Sequence, residues 1–318
     1  MAPPSDYDWA KEVEEFESSK AGVKGLVDSG ITKISRFFHY PPSSLLSENA
    51  QIQLKIPVEI VEEIKGPAQS WGFFQIVNHG VPVSNMDAIL ESTRKFHEQP
   101  KEDKMDLYSS DNRHKVRLFT INGSFNETHV VNWRDALPCS FLDEALGLSR
   151  DYLAQMDCLK SEYLTCLYYP PCPEPELALG TISHSDSTFL TMVVLDSSGV
   201  PPGAIVVNIG DLMQLITNDK FKSVEHRVLA RPVGSRVSAA CFLYPSSECI
   251  LKPYGPIKEL FSEEDPQLYK SQSNLEYMAY YQKNVRECTS SLPHFKQGVK
   301  STISACMISY KVVSSFTW

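Results

Sequence analysis

Five short runs rich in β-branched and aromatic residues follow one another along the second half of the chain, with proline and glycine between them. Short strands that recur at regular spacing are typical of a β-sandwich or jelly roll. This half of the chain is therefore predicted to form a β core. The runs are Glu162–Tyr169, Phe189–Leu195, Ala204–Asn208, Ser223–Ala230 and Arg236–Leu243.

The first half of the chain mixes helix and strand patterns. Residues 72–78 predict a strand that closes in the turn Asn78-His79-Gly80, since Asn and Gly favour tight turns. We predict an α+β fold in which a helical and mixed N-terminal region surrounds the β core, with helices returning near the C-terminal end. The ranges with helical spacing are 8–19, Val58–Lys65, 83–97 and 257–285.

The balance of charges sets the expected surroundings of the protein. The 318 residues carry a formal charge of −9 and contain no basic run, which argues against nucleic acid or an anionic membrane as a partner. The acidic N-terminus lacks the apolar core of a secretory signal, and the apolar stretches are too short to span a bilayer. The eight cysteines form no CxxC pair. We therefore expect reduced thiols and a cytoplasmic location.

Two histidines and an aspartate are the strongest candidates for a catalytic metal site. Side chains two residues apart share a face of a strand, so His184 and Asp186 are expected to point the same way. His226 follows forty residues after Asp186 on another predicted strand. Two imidazoles and one carboxylate make the facial triad that binds Fe(II) in non-haem oxygenases. A zinc hydrolase uses the same ligand types, and His-x-Asp alone is a weak signal.

Arg236 and Ser238 strengthen the oxygenase interpretation. Their spacing places both on one strand face, where the arginine fork suits a carboxylate and the serine adds a hydroxyl donor. The turn Pro232-Val-Gly234 predicts that their strand returns beside the strand of His226. A buried arginine needs an anion, and a dicarboxylate cosubstrate supplies one. The alternative is a surface arginine on an edge strand.

Several longer stretches resemble one family. They are GVKGLVDSGITKI, SWGFFQIVNHGVP, NWRDALPCSF, YYPPCPEPELALGT, HSDSTFLT, VVNIGDLMQLITNDKFKSVEHRVLA and GSRVSAACF. They are similar to the plant 2-oxoglutarate- and Fe(II)-dependent dioxygenases, within them to the 1-aminocyclopropane-1-carboxylate oxidase homologues and deacetoxyvindoline 4-hydroxylase-like enzymes. The resemblance covers most of residues 15–296. It implies a double-stranded β-helix (jelly-roll) core and three regions: residues 1–140, a mixed N-terminal region; residues 141–296, the β core with C-terminal helices; and residues 297–318, an atypical tail.

The resemblance also assigns roles to particular side chains. It implies that the metal ligands are His184, Asp186 and His226, that Arg236 and Ser238 bind the distal carboxylate of 2-oxoglutarate, and that the Tyr169 hydroxyl also reaches this cosubstrate. Phe242 matches a position that lines the substrate pocket in relatives, with core packing as the alternative. His79 belongs to a turn of the fold and Cys172 is expected to be structural.

The reaction that this resemblance implies is the hydroxylation of a small plant specialised metabolite. Fe(II), 2-oxoglutarate and O2 take part, with ascorbate as a reductant, and 2-oxoglutarate is converted to succinate and CO2. The substrate is expected to be a small molecule, and the protein is expected to be a monomer. Chemistry like that of 1-aminocyclopropane-1-carboxylate oxidase, with ascorbate as cosubstrate, is a further alternative.

The sequence also departs from the family pattern. Leu167 stands where the family usually has Asn or His, two residues before the cosubstrate tyrosine. Segments are expected to be missing after Val58, between Phe141 and Leu142, and between Asp196 and Pro201, where the family has a core β-hairpin. The tail Gln297–Trp318 is expected to be disordered or loosely docked. These departures leave open a degenerate, non-catalytic variant produced by sequence loss in the core.

Overall fold

The structure is a computed structural model, and a large part of the chain is described in it. Among the described residues, no helix combines the length and the apolar character needed to cross a membrane. The described residues are 7–42, 58–60, 65–111, 114, 116–121, 130–139, 161–196, 200–245, 250–284, 291–297 and 314–316.

Helices lie mainly in the N-terminal third and near the C-terminal end of the described residues. The α-helices are α1 (Trp9–Ser19), α2 (Gly22–Asp28), α3 (Lys65–Ser70), α4 (Val83–Glu98), α5 (Lys101–Lys104), α6 (Asp211–Ile216) and α7 (Asn274–Asn284). Short 3₁₀ helices cover Arg36–Phe38, Met105–Leu107, Lys258–Leu260 and Leu292–Phe295.

Strands fill the middle of the chain. They are β1 (Val58–Ile60), β2 (Phe73–Val77), β3 (Asp135–Cys139), β4 (Ser161–Tyr169), β5 (Leu179–His184), β6 (Leu190–Leu195), β7 (Ile205–Ile209), β8 (His226–Leu229), β9 (Arg236–Tyr244), β10 (Pro253–Tyr254), β11 (Gln272–Ser273) and β12 (Ser314–Phe316).

The strands form one large sheet and a smaller one. Within the described residues the large sheet has the order β1-β2-β7-β6-β9-β4-β3, antiparallel except for the β1–β2 pair. The smaller sheet has the order β12-β8-β5, in which β8 and β5 are antiparallel and β12 and β8 are parallel. Strands β10 and β11 pair separately. The architecture is thus a mixture of helices with mostly antiparallel sheets.

Local signals explain where the two long N-terminal helices begin. The Asp8 side chain accepts a hydrogen bond from the backbone N–H of Lys11 at 3.0 Å and so caps α1. Pro82 directly precedes α4, where its fixed φ suits the start of a helix. Both helices confirm the ranges predicted from apolar spacing.

Apolar side chains from the helices cover the large sheet. Met86 of α4 packs with Phe74 of β2 and Val207 of β7. Near the N-terminus the aromatic rings of Phe38 and Trp133 lie 4.9 Å apart, edge to face. This burial removes apolar area from water, which is the main force that holds the layers together. The sheet is therefore fixed in place beside the loops that carry the polar site.

The predicted helix at Val58–Lys65 is wrong over its first residues, because Val58–Ile60 form β1, which pairs parallel with β2. Val58 and Ile60 are β-branched and alternate with Glu59, a period of two that suits an edge strand better than a helix. Residues 61–64 lie outside the described residues. The strand predicted at 72–78 is confirmed, and positive φ angles at Asn78 and Gly80 confirm the turn that follows it.

Two further expectations need correction. Strand β9 does not return beside the His226 strand: it pairs with β4 and β6 in the large sheet, while β8 pairs with β5 and β12. The turn at residues 232–234 crosses from one sheet to the other, which a local turn signal cannot distinguish from a hairpin. The helix expected over 257–285 is confined to α7, with a 3₁₀ turn and short strands before it.

The C-terminal tail is partly docked. Residues 314–316 form β12 and run parallel to β8, with Ser314 opposite His226 and Phe316 opposite Val228. This differs from the expectation of a disordered or loosely docked tail for those three residues. The segments expected to be missing near Phe141 and between Asp196 and Pro201 fall at residues 140–160 and 197–199, which lie outside the described residues.

Candidate metal centre

Three predicted ligands come together where the smaller sheet meets the loop that follows β5. His184 is the last residue of β5 and His226 the first of β8, and they face each other across the sheet. The strand expected to carry both His184 and Asp186 ends at His184, so Asp186 lies in the loop that follows, where its Oδ1 is 3.5 Å from Nε2 of His184. One donor atom from each residue lies within 4.8 Å of the others.

The imidazole rings are oriented by backbone carbonyls. Nδ1 of His184 lies 2.8 Å from the carbonyl oxygen of Ile182, and Nδ1 of His226 lies 3.1 Å from that of Val224. A carbonyl oxygen can only accept, so each Nδ1 carries the proton. The Nε2 atoms keep their lone pairs and lie 3.5 Å and 3.9 Å from Oδ1 of Asp186. This is the tautomer that a metal-binding histidine uses.

The Asp186 carboxylate is held by two donors on its other oxygen. Oδ2 accepts hydrogen bonds from the Thr191 hydroxyl at 2.6 Å and from the Asn208 side-chain amide at 2.7 Å. These bonds fix the carboxylate plane and leave Oδ1 facing both histidines. The sequence analysis missed Thr191 and Asn208, although both lie within stretches that matched the family, because their role depends on contacts between different strands.

The charges in this cluster are those that a cation requires. Burial alone raises the pKa of Asp186, but the facing His226 and His184 outweigh burial and hold that pKa below its usual range. Burial and the neighbouring His184 lower the pKa of His226 to about 4. At neutral pH the carboxylate is therefore charged and the His226 imidazole neutral. A divalent cation can bind such a set without displacing a proton from either of these two groups.

The loop between His184 and Asp186 is tied to the C-terminal helix. The Ser185 hydroxyl donates to Asp211 Oδ2 at 2.8 Å, and the Tyr281 hydroxyl of α7 donates to the Ser185 carbonyl at 2.6 Å. Tyr277 of α7 also donates to Asp211. Burial raises the pKa of Asp211 to about 6, against the hydrogen bonds that favour its charged form. Helix α7 thus holds the segment that carries two of the three predicted ligands.

A second polar cluster lies on the large sheet. Arg236 of β9 stands opposite Tyr169 of β4, and its guanidinium carbon lies 4.9 Å from the centre of the tyrosine ring. The arginine is 6% exposed, and its Nε and Nη1 atoms have no hydrogen-bond partner among the described residues. Leaving such donors buried and unpaired is costly unless an anion occupies the site. Arg236, Ser238 and Tyr169 are therefore brought together, as their predicted shared role requires.

Ser238 and Phe242 complete one face of β9. Ser238 is buried and stands opposite Leu167, while Phe242 is half-buried and stands between Tyr163 and Thr191. Alternation along the strand places both on the face of Arg236. This position is compatible with the predicted pocket-lining role of Phe242. His79 instead bonds with the Gly203 carbonyl at 2.7 Å through Nε2, which agrees with its assignment to a turn of the fold.

Comparison with known proteins identifies the family. The 2OG-Fe(II) oxygenase superfamily model matches residues 156–245, and the model for the N-terminal region of non-haem dioxygenases in morphine synthesis matches residues 48–151. The chain is 38% identical to 1-aminocyclopropane-1-carboxylate oxidase homolog 1 of Arabidopsis thaliana, over 89% of this chain and 95% of that protein. It is 40% identical to deacetoxyvindoline 4-hydroxylase of Catharanthus roseus, over 84% of each.

Solved structures agree with this assignment. JOX2, crystallised in complex with 2OG, Fe and JA, is 26% identical and superposes with a TM-score of 0.64 over 82% of this chain and 93% of that one. A dioxygenase for auxin oxidation from rice has the same fold, at 17% identity and a TM-score of 0.58 over 76% of this chain and 99% of that one. The chain is a member of the 2OG-Fe(II) oxygenase family, with Fe(II) as its cofactor and 2-oxoglutarate as its cosubstrate.

Proposed function

We propose that this protein is a 2-oxoglutarate-dependent hydroxylase of a small plant specialised metabolite and that His184, Asp186 and His226 hold its iron. The observation that carries the proposal is the way in which the two carboxylate oxygens of Asp186 are used. Its Oδ2 is occupied by two donors, while Oδ1 and two imidazole Nε2 atoms converge. Such a set fits a cation that keeps further coordination positions open. When bound there, Fe(II) supplies the redox chemistry that couples decarboxylation of 2-oxoglutarate to oxidation of a substrate C–H bond.

The cluster on the large sheet is proposed to bind the distal carboxylate of 2-oxoglutarate. The guanidinium of Arg236, whose Nε and Nη1 atoms have no partner among the described residues, supplies a fork of two donors, and the buried hydroxyl of Ser238 supplies a third. The Tyr169 hydroxyl lies on the same face and adds a further donor. A carboxylate held by an arginine fork is fixed in direction as well as position. These residues therefore orient the cosubstrate and keep water from its far end.

Phe242 is proposed to line the substrate pocket. It lies on the same face of β9 as the carboxylate anchors and stands opposite Thr191, whose hydroxyl contacts Asp186. A half-buried aromatic ring beside the metal cluster is suited to contact an apolar part of a substrate. We also propose that the protein acts as a monomer.

We infer that the core is a double-stranded β-helix that lacks one hairpin. The alignment with the Arabidopsis relative runs over 351 positions, more than the 318 residues of this chain, so that relative contains segments with no counterpart here. The smaller sheet has three strands among the described residues, and one of them comes from the tail. A hairpin lost between Asp196 and Pro201 is consistent with both observations.

A second hypothesis is a degenerate oxygenase that folds but does not turn over substrate. It is favoured by the same difference in length from the relatives. The two hypotheses differ in whether the metal cluster still binds Fe(II) and the 2-oxo acid together. Chemistry with ascorbate as cosubstrate is a weaker alternative, because the buried Arg236 side chain suits a dicarboxylate.

An anaerobic titration with Fe(II) and then 2-oxoglutarate tests the proposal. Chelation of iron by the 2-oxo acid is expected to produce a weak visible absorption band that saturates. His184→Ala should abolish the band, whereas His294→Ala should not, because His294 stacks on Tyr280 in the C-terminal region. A folded wild-type protein that gives no band would sink the hydroxylase proposal and favour the degenerate variant.

A further inference from the structure

Arg134 lies at the same level as the carboxylate anchors, one strand further along the large sheet. Strand β3 pairs with β4 so that Asp135 stands opposite Tyr168, which brings the preceding residue, Arg134, level with Tyr169. Tyr169 in turn stands opposite Arg236 on β9. Opposed residues of antiparallel strands point to the same side of the sheet. Two guanidinium groups therefore flank one tyrosine on the same face.

Hydrogen bonds confirm that Arg134 reaches this cluster. Its Nη1 donates to the Thr181 hydroxyl at 2.8 Å, and the Tyr169 hydroxyl lies 3.1 Å from the same Thr181 oxygen. Thr181 belongs to β5, so it links the anion cluster on the large sheet to the strand that ends at His184. Through Thr181, Arg134 therefore contacts the smaller sheet while it lies beside Tyr169 of the large sheet.

The backbone that carries Arg134 is firmly held. The indole of the preceding Trp133 donates to the Pro170 carbonyl at 3.1 Å. The following Asp135 is buried and accepts backbone hydrogen bonds from Val23 and Lys24 of α2, each at 2.8 Å. Arg134 is therefore a half-buried cation on a fixed strand end rather than a mobile surface side chain.

Within the described part of the chain, this cluster has positive charge without a matching acid. Among the described residues, neither Arg134 nor Arg236 lies within ion-pair distance of a carboxylate. Burial raises the pKa of Tyr169, but the two arginines and Thr181 outweigh burial, so that this pKa is lowered. A tyrosine stabilised in its charged form reports a positive potential at its hydroxyl. The same potential attracts any carboxylate that enters.

Leu167 explains why a further donor is needed. It stands opposite Ser238 and packs with Phe119 and Ala136, so this row of the sheet offers a carboxylate one hydroxyl and otherwise apolar surface. A carboxylate has about four acceptor positions on its two oxygens. The fork of Arg236 and the Ser238 hydroxyl fill three of them, and the fourth is left to Arg134 when the Tyr169 hydroxyl donates to Thr181.

We propose that Arg134, oriented by Thr181, is a second cationic anchor for the distal carboxylate of the 2-oxo acid and sets the preference for a dicarboxylic cosubstrate. The proposal rests on the function proposed above. The competing explanation is that Arg134 only holds β5 in place through Thr181. In that case its loss would affect the metal ligands and every 2-oxo acid alike.

The test is calorimetric titration of the Mn(II)-loaded protein with two acids. 2-Oxoglutarate has the distal carboxylate, and 2-oxopentanoate has the same length and keto acid group without it. Arg134→Gln is expected to weaken 2-oxoglutarate binding by about 10- to 100-fold, the effect of a lost charge-assisted hydrogen bond, and to leave 2-oxopentanoate binding unchanged. Arg134→Lys should recover part of the loss, because it retains the charge but not the fork.

Arg36→Gln is the matched control, since Arg36 lies over the Tyr7 ring in the N-terminal region. It should bind both acids as the wild type does. If Arg134→Gln binds 2-oxoglutarate as tightly as the wild type, or loses both acids equally, the second anchor is refuted while the proposed function stands. If the folded, Mn(II)-loaded wild type binds no 2-oxoglutarate, both the proposed function and this inference are refuted.

Discussion

Thr191→Val isolates the hydrogen bond that fixes the direction of Asp186. The change removes a hydroxyl and keeps the β-branched shape that suits strand β6. In the wild type, Oδ2 of Asp186 accepts from Thr191 at 2.6 Å and from Asn208 at 2.7 Å. The variant leaves the carboxylate with one of these two bonds and frees it to rotate away from the histidines.

The expected loss follows from the strength of such bonds. A hydrogen bond to a charged group contributes about 1.5–3 kcal/mol, and the loss of a partner behind a metal ligand typically lowers metal affinity about 10- to 100-fold. Thr191→Val should therefore weaken Fe(II) binding by that factor. It should also lower the free energy of unfolding, because the Thr188 hydroxyl, 3.1 Å from that of Thr191, loses a partner.

The assay is an anaerobic Fe(II) titration, paired with chemical unfolding so that affinity is compared among folded proteins. Thr93→Val is the matched control, because Thr93 is also buried but donates to the Ile89 carbonyl within α4. It should leave Fe(II) affinity unchanged. A folded Thr191→Val protein with wild-type affinity would show that the orientation of Asp186 does not depend on this bond.

Three further changes test other parts of the structure. His97 is buried, its ring nitrogens have no hydrogen-bond partner within the described ranges, and burial lowers its pKa to about 3. The free energy of unfolding should therefore be full above pH 6.5 and fall as the pH drops toward 3, and His97→Phe should flatten this slope in pH-dependent unfolding. Leu167→Asn should lower the free energy of unfolding by about 1–3 kcal/mol, because it buries an amide in an apolar cluster; a variant as stable as the wild type would contradict this. Deletion of residues 298–318 should lower the unfolding midpoint, because it removes β12 from β8; an unchanged midpoint would show that this pairing adds no stability.

The predicted ligands could be found from the sequence because strand periodicity is local. The spacing of Arg236 and Ser238 places both on one face of β9, whereas Asp186 reaches His184 from the loop after β5. The structure brings the three metal-ligand candidates within reach of one another and places Arg236 against Tyr169. The pair on β9 therefore needed no knowledge of the tertiary fold, whereas the role of Tyr169 came from the resemblance to the family.

What the sequence analysis missed depends on the pairing of distant segments. Asn208 reaches Asp186 and Arg134 reaches Thr181 only because particular strands become neighbours. The error in placing β9 has the same origin, since the turn at residues 232–234 has one local form whether it joins two strands of a sheet or crosses between sheets. The apolar and acidic residues that begin at Val58 predicted a helix, but Val58–Ile60 form a strand because they pair with β2.

The two halves of the site depend on different sheets, and this gives the degenerate-variant hypothesis a distinct signature. Strand β9 carries Arg236 and Ser238 in the middle of the large sheet, supported on both sides by β4 and β6. His184 and His226 stand on the smaller sheet, where a lost hairpin would leave the edge of β8 dependent on β12. Loss of core strands should therefore damage metal binding before it damages the arginine cluster. A chain that retains an anion site but binds Fe(II) weakly would be the degenerate variant, whereas tight Fe(II) binding would mean that β12 supports the smaller sheet well enough for the complete site to form.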